Sequence, residues 1–162
     1  MGKIVLATII ISGSAKWLLK VGGNKEKWYG SDRIFMYVMT VFGAMTVNYS
    51  EQCTEYGWVV SNLRLLAGCL LAGGLLSAAY MDRRNCWVYN YVWWWCLPWA
   101  GILGMTAGGE FSGIVAVLVF VMLQQLLFSR MYGKADCHAF SVCALAECGN
   151  AVGMLSLIHI SE

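Results

Sequence analysis

The sequence has few charged residues and almost no proline. Charged side chains make up 12% of its 162 residues and hydrophobic side chains 59%, whereas charged residues are roughly a quarter of an ordinary soluble domain. The mean hydropathy is +0.62, and several apolar runs approach the length of a bilayer span. We therefore expect an integral membrane protein that lies in the lipid bilayer.

The sequence gives little support for a zinc or redox protein, or for a nucleic-acid-binding protein. The seven cysteines form no C-x-x-C pair, so neither a zinc knuckle nor a redox motif is predicted. Most of the cysteines lie within or beside apolar runs, where a free cysteine behaves as a small hydrophobic residue. The basic residues are few and lie between apolar runs, so we expect no nucleic-acid binding.

Six apolar segments predict an all-α bundle of about six transmembrane helices in a single domain, residues 1–154. The predicted helices run roughly over Ile4–Val21, Ile34–Val47, Trp58–Tyr80, Tyr91–Ala107, Ser112–Met131 and from Ala135 or Asp136 to Met154. The second is short, and five spans remain if one of the first two lies in the interface. Small residues in the third suit close helix contact: Gly68, Gly73, Gly74 and Ser77.

Two further features of the sequence have simple interpretations. The aromatic residues between positions 87 and 95 are typical of an interfacial belt. The last residues, Leu155-Ser-Leu-Ile-His-Ile-Ser-Glu162, look like a translated transposon-end sequencing adaptor. We therefore expect residues 155–162 to be a non-native tail, with the last helix truncated near Met154.

Two charged interruptions of the apolar pattern each contain one acid. Asp82 follows the third predicted helix and Asp136 follows the fifth. Each span reverses the side of the membrane, so the two acids share a face whatever the first two segments do. Bases cluster on that face, whereas the opposite loops hold acids without a base: Arg83, Arg84, Arg130 and Lys134 against Glu51, Glu55 and Glu110. The positive-inside rule makes the aspartate face cytoplasmic.

Each acid also has an ordinary structural interpretation. Asp136 could cap the start of the last helix by accepting backbone N–H bonds, and Asp82 could pair with Arg83 or Arg84. The neighbouring residues allow similar interpretations: a tight turn for Gly133 and Ala135, a helix cap for Asn90 and a headgroup contact for His138.

The surroundings of Asp82 resemble a motif of the type IV prepilin peptidases, especially the short form found with tight-adherence pili. In that family the first catalytic aspartate is followed by five residues and then Ile-Pro-Asn. Here the three corresponding residues are Val88, Tyr89 and Asn90, so the asparagine matches and the proline does not.

The surroundings of Asp136 resemble the second motif of the same family, G-x-G-D. The chain reads Gly133-Lys134-Ala135-Asp136, with alanine in place of the second glycine. The lysine often found two residues later is His138 here, which could play a comparable cationic role. The resemblance covers roughly residues 68–154.

The resemblance implies a membrane-embedded aspartyl endopeptidase with Asp82 and Asp136 as its catalytic pair. Such an enzyme cleaves the leader of a prepilin or pseudopilin at the cytoplasmic face of the bacterial inner membrane. It needs no metal or other cofactor. Larger members carry a cysteine-rich methylating domain for which this chain has no room, so we expect cleavage without N-methylation.

The main alternative is a non-enzymatic polytopic membrane protein, such as a small transporter or a pilus or secretion assembly subunit. Both aspartates would then be interfacial caps. A transporter should place its ionisable groups near the bilayer midplane at broken helices. Asp82 and Asp136 are instead predicted at helix ends, which favours the peptidase.

Overall fold

The computed structural model describes residues 2–22, 30–52, 57–106, 111–127 and 133–147, which form six α-helices and no strand. The prediction of an all-α protein is therefore confirmed. The helices are α1 (Gly2–Val21), α2 (Gly30–Gln52), α3 (Trp58–Asn85), α4 (Asn90–Thr106), α5 (Phe111–Leu127) and α6 (Lys134–Ala146). The predicted tail, residues 155–162, lies outside the described residues, as do residues 148–154 of the last predicted helix.

Two of the described helices, α1 and α3, are long and apolar enough to cross a membrane. A shorter apolar segment, Val115–Leu127, belongs to α5. A helix in the core of a soluble protein and a signal sequence can share this length and composition. The length and composition of these two helices support a membrane association, and the six-span bundle stays a prediction.

The chain divides into two compact units, Met1–Cys96 and Leu97–Glu162. The first unit contains α1, α2, α3 and the start of α4, and the second contains the rest of α4 with α5 and α6. The single domain expected over residues 1–154 stays a prediction.

Close contact between α1 and α3 depends on glycine. A Cβ atom on Gly73 would lie 3.0 Å from the carbonyl oxygen of Ile11 and would overlap the Oγ of Ser14. Similarly, a Cβ atom on Gly68 would lie 3.0 Å from Cγ1 of Val47 on α2. The glycines leave room for Ser14 and Val47 to approach the α3 backbone, as small residues do in membrane helix pairs. The prediction of close contact by the small residues of α3 is confirmed.

Helix direction alternates within the first unit. The hydroxyl of Tyr91, at the start of α4, donates to the carbonyl oxygen of Leu18 near the end of α1 at 3.0 Å. Arg84, at the end of α3, pairs with Asp32 at the start of α2. These four helix ends therefore lie at one end of the unit. We call it the basic end, after Lys20, Arg33, Arg83 and Arg84.

The aromatic run is only partly an exposed belt. Trp87 and Trp94 are 65% and 75% exposed, whereas Trp93 is 7% exposed. The indole of Trp95 donates to the carbonyl oxygen of Leu70 at 3.3 Å. The run therefore divides between outward-facing residues and residues that pack α4 against the rest of the first unit.

Candidate functional site

Asp82 lies in the last turn of α3 rather than after it. The predicted end of this helix at Tyr80 is wrong, because the helix continues to Asn85. It ends at Cys86, whose backbone is left-handed (φ 52°, ψ 29°) and whose N–H donates to the carbonyl oxygen of Asp82 at 2.8 Å. A left-handed residue is a common way to end a helix. The Asp82 side chain is exposed.

The two arginines that follow Asp82 contact α2. The Nε atom of Arg84 lies 3.7 Å from Oδ2 of Asp32, and the Arg83 guanidinium carbon lies 4.9 Å from the centre of the Phe35 ring. Among the residues that the structure describes, none hydrogen-bonds or ion-pairs with the Asp82 carboxylate. The alternative in which Asp82 pairs with one of these arginines is therefore not what the structure contains.

The carboxylate of Asp82 also does not stabilise the end of α3. The carboxyl end of a helix carries a partial negative charge, which favours cations such as Arg83 and Arg84 and disfavours an acid. Local structure therefore explains the arginines at these positions but not the aspartate.

Asp32 is a structural residue that precedes the apolar run of the second predicted helix. It lies in the first turn of α2 and is only 7% exposed. Two signals could have identified its partner: acids are favoured in the first turn of a helix, and alternating helices place Asp32 on the side of Arg83 and Arg84. The arginines nearest Asp82 are thus held by α2 contacts that involve Asp32 and Phe35.

Asp136 lies in the first turn of α6, which begins at Lys134. The N-cap position belongs to Gly133, which has an ordinary extended backbone (φ −60°, ψ 147°) and no side-chain cap bond. The interpretation of Asp136 as the N-cap residue is therefore wrong. Its carboxylate is exposed and hydrogen-bonds to no residue in the described ranges. The negative charge still suits the positive end of the helix.

Gly133 leaves space beside the Asp136 carboxylate. A Cβ atom at position 133 would lie 3.5 Å from Oδ2 of Asp136, an ordinary van der Waals contact. The backbone angles there suit any residue, so glycine is not needed for the turn itself. Between the glycine and the acid, Lys134 is exposed and Ala135 is partly buried.

His138 is held by α5. The amide nitrogen of Gln125 lies 3.2 Å from Nδ1 of His138 and 3.1 Å from Oγ of Ser141. The Ser141 hydroxyl donates to the carbonyl oxygen of Cys137 at 2.7 Å, so its oxygen accepts the amide hydrogen of Gln125. The other amide hydrogen is then directed at Nδ1, which fits the tautomer with hydrogen on Nε2.

His138 and Asp136 are two positions apart on α6. Side chains at that spacing leave a helix on different faces, and the ring of His138 lies against Gln125 while the carboxylate of Asp136 is exposed. A cationic role for His138 beside Asp136 stays a prediction.

Asn90 is the first residue of α4 and is exposed. No described residue hydrogen-bonds with its side chain, so the structure shows no cap bond from it. The N–H of Val92 instead donates to the carbonyl oxygen of Tyr89 at 3.1 Å. Tyr89 stacks on Tyr91 with ring centres 5.8 Å apart. Asp82 and Asn90 thus lie on either side of the short α3–α4 connection.

The predicted site residues fall into two groups. Asp82 and Asn90 belong to the first unit, whereas Gly133, Lys134, Ala135, Asp136 and His138 lie together at the start of α6 in the second. The pairing of the two aspartates stays a prediction. In the described ranges, no group of three or more His, Cys, Asp or Glu side chains could hold a metal ion.

Comparisons of the chain with protein-family models, with curated proteins and with solved structures found no match. The assignment of a function therefore depends on the residues themselves.

Proposed function

We propose that the protein is a polytopic membrane aspartyl endopeptidase that removes the leader of prepilin-like substrates at the cytoplasmic membrane face, without N-methylation. The observation that carries the proposal is that neither carboxylate is used by a described structural contact. Asp82 is exposed while its neighbouring arginines contact α2, and Asp136 is exposed beside the small residue Gly133.

The proposed mechanism uses the two carboxylates as a pair that shares one proton. Two close carboxylates cannot both ionise cheaply, so one remains protonated. The ionised carboxylate takes a proton from water as the water oxygen attacks the scissile carbonyl carbon, and the protonated carboxyl donates its proton to the carbonyl oxygen. Collapse of the tetrahedral intermediate then breaks the C–N bond. The carboxyl that took the proton from water passes it to the leaving nitrogen, and a hydroxyl of the intermediate returns its proton to the other carboxylate. The products are a free leader carboxylate and a free amino terminus.

The environment of each candidate carboxylate is compatible with this mechanism. An acid that acts on water needs access to solvent and a carboxylate that is not already neutralised by a salt bridge. Asp82 and Asp136 meet both requirements within the described residues, whereas Asp32 is buried and paired with Arg84. Asp32 is therefore the structural acid and the other two are the candidates for catalysis.

The test is cleavage of a prepilin-like polypeptide by the full chain reconstituted in lipid vesicles. The substrate carries a short basic leader, a glycine before the scissile bond and a hydrophobic helix after it. The new amino terminus is identified by mass spectrometry. We expect the unsubstituted chain to cleave, and Asp82→Asn and Asp136→Asn each to lose activity by roughly 10²-fold or more.

Glu147→Gln is the matched control, since it also converts an exposed carboxylate to an amide, at the opposite end of α6. It should cleave at the rate of the unsubstituted chain. A normal rate for either aspartate variant would contradict the mechanism. Absence of cleavage by a folded, unsubstituted chain would favour the non-enzymatic alternative.

A further inference from the structure

A cleft of about 230 Å³ lies between α1 and α2 in the first unit. It is lined by Thr8, Ser12, Lys16, Arg33, Met36, Tyr37 and Thr40. The residues from each helix recur at intervals of three or four positions, so each set lies along one helix face. The cleft is therefore formed by two facing helices.

One end of the cleft is cationic. Lys16 and Arg33 are both exposed, and no carboxylate is among the lining residues. The acid next to Arg33 in the chain, Asp32, is buried and pairs with Arg84. Among the described residues, none forms an ion pair with Lys16 or Arg33. Two positive charges thus remain at the mouth of the cleft without a described counter-charge.

The deeper part of the cleft offers little to an anion. The hydroxyls of Thr8 and Thr40 donate to carbonyl oxygens of their own helices, those of Ile4 at 2.8 Å and Met36 at 2.6 Å. Their hydrogens are therefore already used, and towards the cleft they present methyl groups or oxygen lone pairs. With Met36 alongside, this part suits an uncharged or apolar group, so an anion would be held at the Lys16 and Arg33 end.

The cationic mouth lies near the basic end of the unit. Lys16 is five residues before the end of α1, and Arg33 is three residues after the start of α2, so each is within about 8 Å of its helix terminus along the axis. The helix surfaces beside the cleft carry exposed apolar side chains, including Val5 (59%) and Ile9 (61%) on α1 and Val41 (41%) on α2. In a bilayer, this arrangement places two cations at headgroup depth above an apolar surface.

We propose that the cleft binds the phosphate of an anionic membrane lipid, with Lys16 and Arg33 holding the phosphate and the acyl chains lying along the exposed apolar residues of α1 and α2. Whole small-molecule ligands usually occupy pockets of roughly 300–1,000 Å³. A volume of about 230 Å³ suits a headgroup whose chains remain outside. The proposal does not depend on peptidase activity.

The test measures lipid binding to the purified full chain in detergent by native mass spectrometry. The probes are dioleoylphosphatidylglycerol, dioleoylphosphatidylcholine and inorganic phosphate. Lys16→Gln, Arg33→Gln and the double variant are compared with Lys20→Gln, which removes an exposed cation of α1 that does not line the cleft. Thermal unfolding is measured for each variant without lipid, which checks its fold, and for the unsubstituted chain with each probe, which measures how far that probe stabilises the chain.

We expect phosphatidylglycerol to bind more tightly than phosphatidylcholine, and inorganic phosphate not to reproduce its stabilisation of the chain. Each glutamine substitution should weaken phosphatidylglycerol binding about fivefold and the double substitution roughly thirtyfold. Lys20→Gln should bind like the unsubstituted chain.

Several results would overturn the proposal. Equal binding of the two lipids would do so, and this comparison needs no variant to fold. Unchanged binding by the folded double variant, or an equal loss in Lys20→Gln, would mean that the cleft cations are not the site. Equal stabilisation by inorganic phosphate would show a general anion site and remove the assignment to a lipid.

Discussion

The Nε atom of Arg84 lies 3.7 Å from Oδ2 of Asp32, which joins the end of α3 to the start of α2. The side chains are 18% and 10% exposed, so the pair is largely removed from solvent. The contact assigns different roles to two acids of the basic end. Asp32 stabilises the packing of α2 on α3, whereas Asp82, two residues before Arg84, has no described partner.

Asp32→Asn should therefore destabilise the protein. The substitution removes the charge that Arg84 faces and leaves a poorly solvated guanidinium, at a cost of roughly 1–3 kcal/mol. Thermal or denaturant unfolding in detergent measures the loss. Asp82→Asn, at the same end of the unit, should change the unfolding free energy by less than about 0.5 kcal/mol. Equal losses in the two variants would contradict this division of roles.

Gly73→Ala should disrupt the contact between α1 and α3. The added Cβ would overlap the Oγ of Ser14 and lie 3.0 Å from the backbone of Ile11, and such overpacking costs about 1–3 kcal/mol. Gly13→Ala is the control, because a Cβ on Gly13 of α1 meets nothing within 4 Å. It should be neutral or slightly stabilising. If Gly73→Ala is as stable as Gly13→Ala, the glycine contact does not limit packing.

Gln125→Leu should loosen α6 from α5. The amide of Gln125 donates to both His138 and Ser141, and a side-chain bond between membrane helices contributes roughly 0.6–1.7 kcal/mol. Faster amide hydrogen exchange in α6 would report the loss. Ser141→Ala removes only one of the two acceptors and should have a smaller effect. An exchange rate in Gln125→Leu equal to that of the unsubstituted chain would show that the bonds do not hold the helices together.

Gly133→Ala should fold normally, because the backbone at 133 is ordinary and the new Cβ would make only a 3.5 Å contact with the Asp136 carboxylate. Gly133→Val places further methyl groups near that carboxylate and should reduce cleavage of a prepilin-like substrate more than tenfold, with little change in stability. The comparison of cleavage rates and unfolding temperatures tests this. Full activity in Gly133→Val would mean that space at 133 does not matter to the reaction.

The apolar pattern predicted most helix positions because hydrophobic runs report burial or a lipid environment directly. The structure places α1 and α4 within two residues of the predicted bounds. Polar ends were harder to predict. The second helix begins at Gly30 rather than Ile34, and the third continues through Asp82 to Asn85 before its left-handed cap at Cys86. Charged residues lie in the added turns of both helices, and hydropathy alone does not identify such turns as helical.

Local sequence could predict the positions of the candidate site residues along the helices, but not the contacts that these residues make with other helices. Two acids near helix ends follow from the pattern, and both lie there in the structure. The pairing of Asp32 with Arg84 and of Gln125 with His138 depends on which helices pack together. A single sequence gives no direct signal of such contacts, since the partners lie 52 and 13 positions apart.

The central claim is that Asp82 and Asp136 act as one catalytic pair. The most direct test compares the cleavage rates of Asp82→Asn, Asp136→Asn and the double variant in lipid vesicles, on a substrate that the unsubstituted chain cleaves. Residues that act as a unit are strongly non-additive, so each single variant should be as inactive as the double variant. A single variant that keeps the normal rate, or losses that multiply in the double variant, would contradict the account.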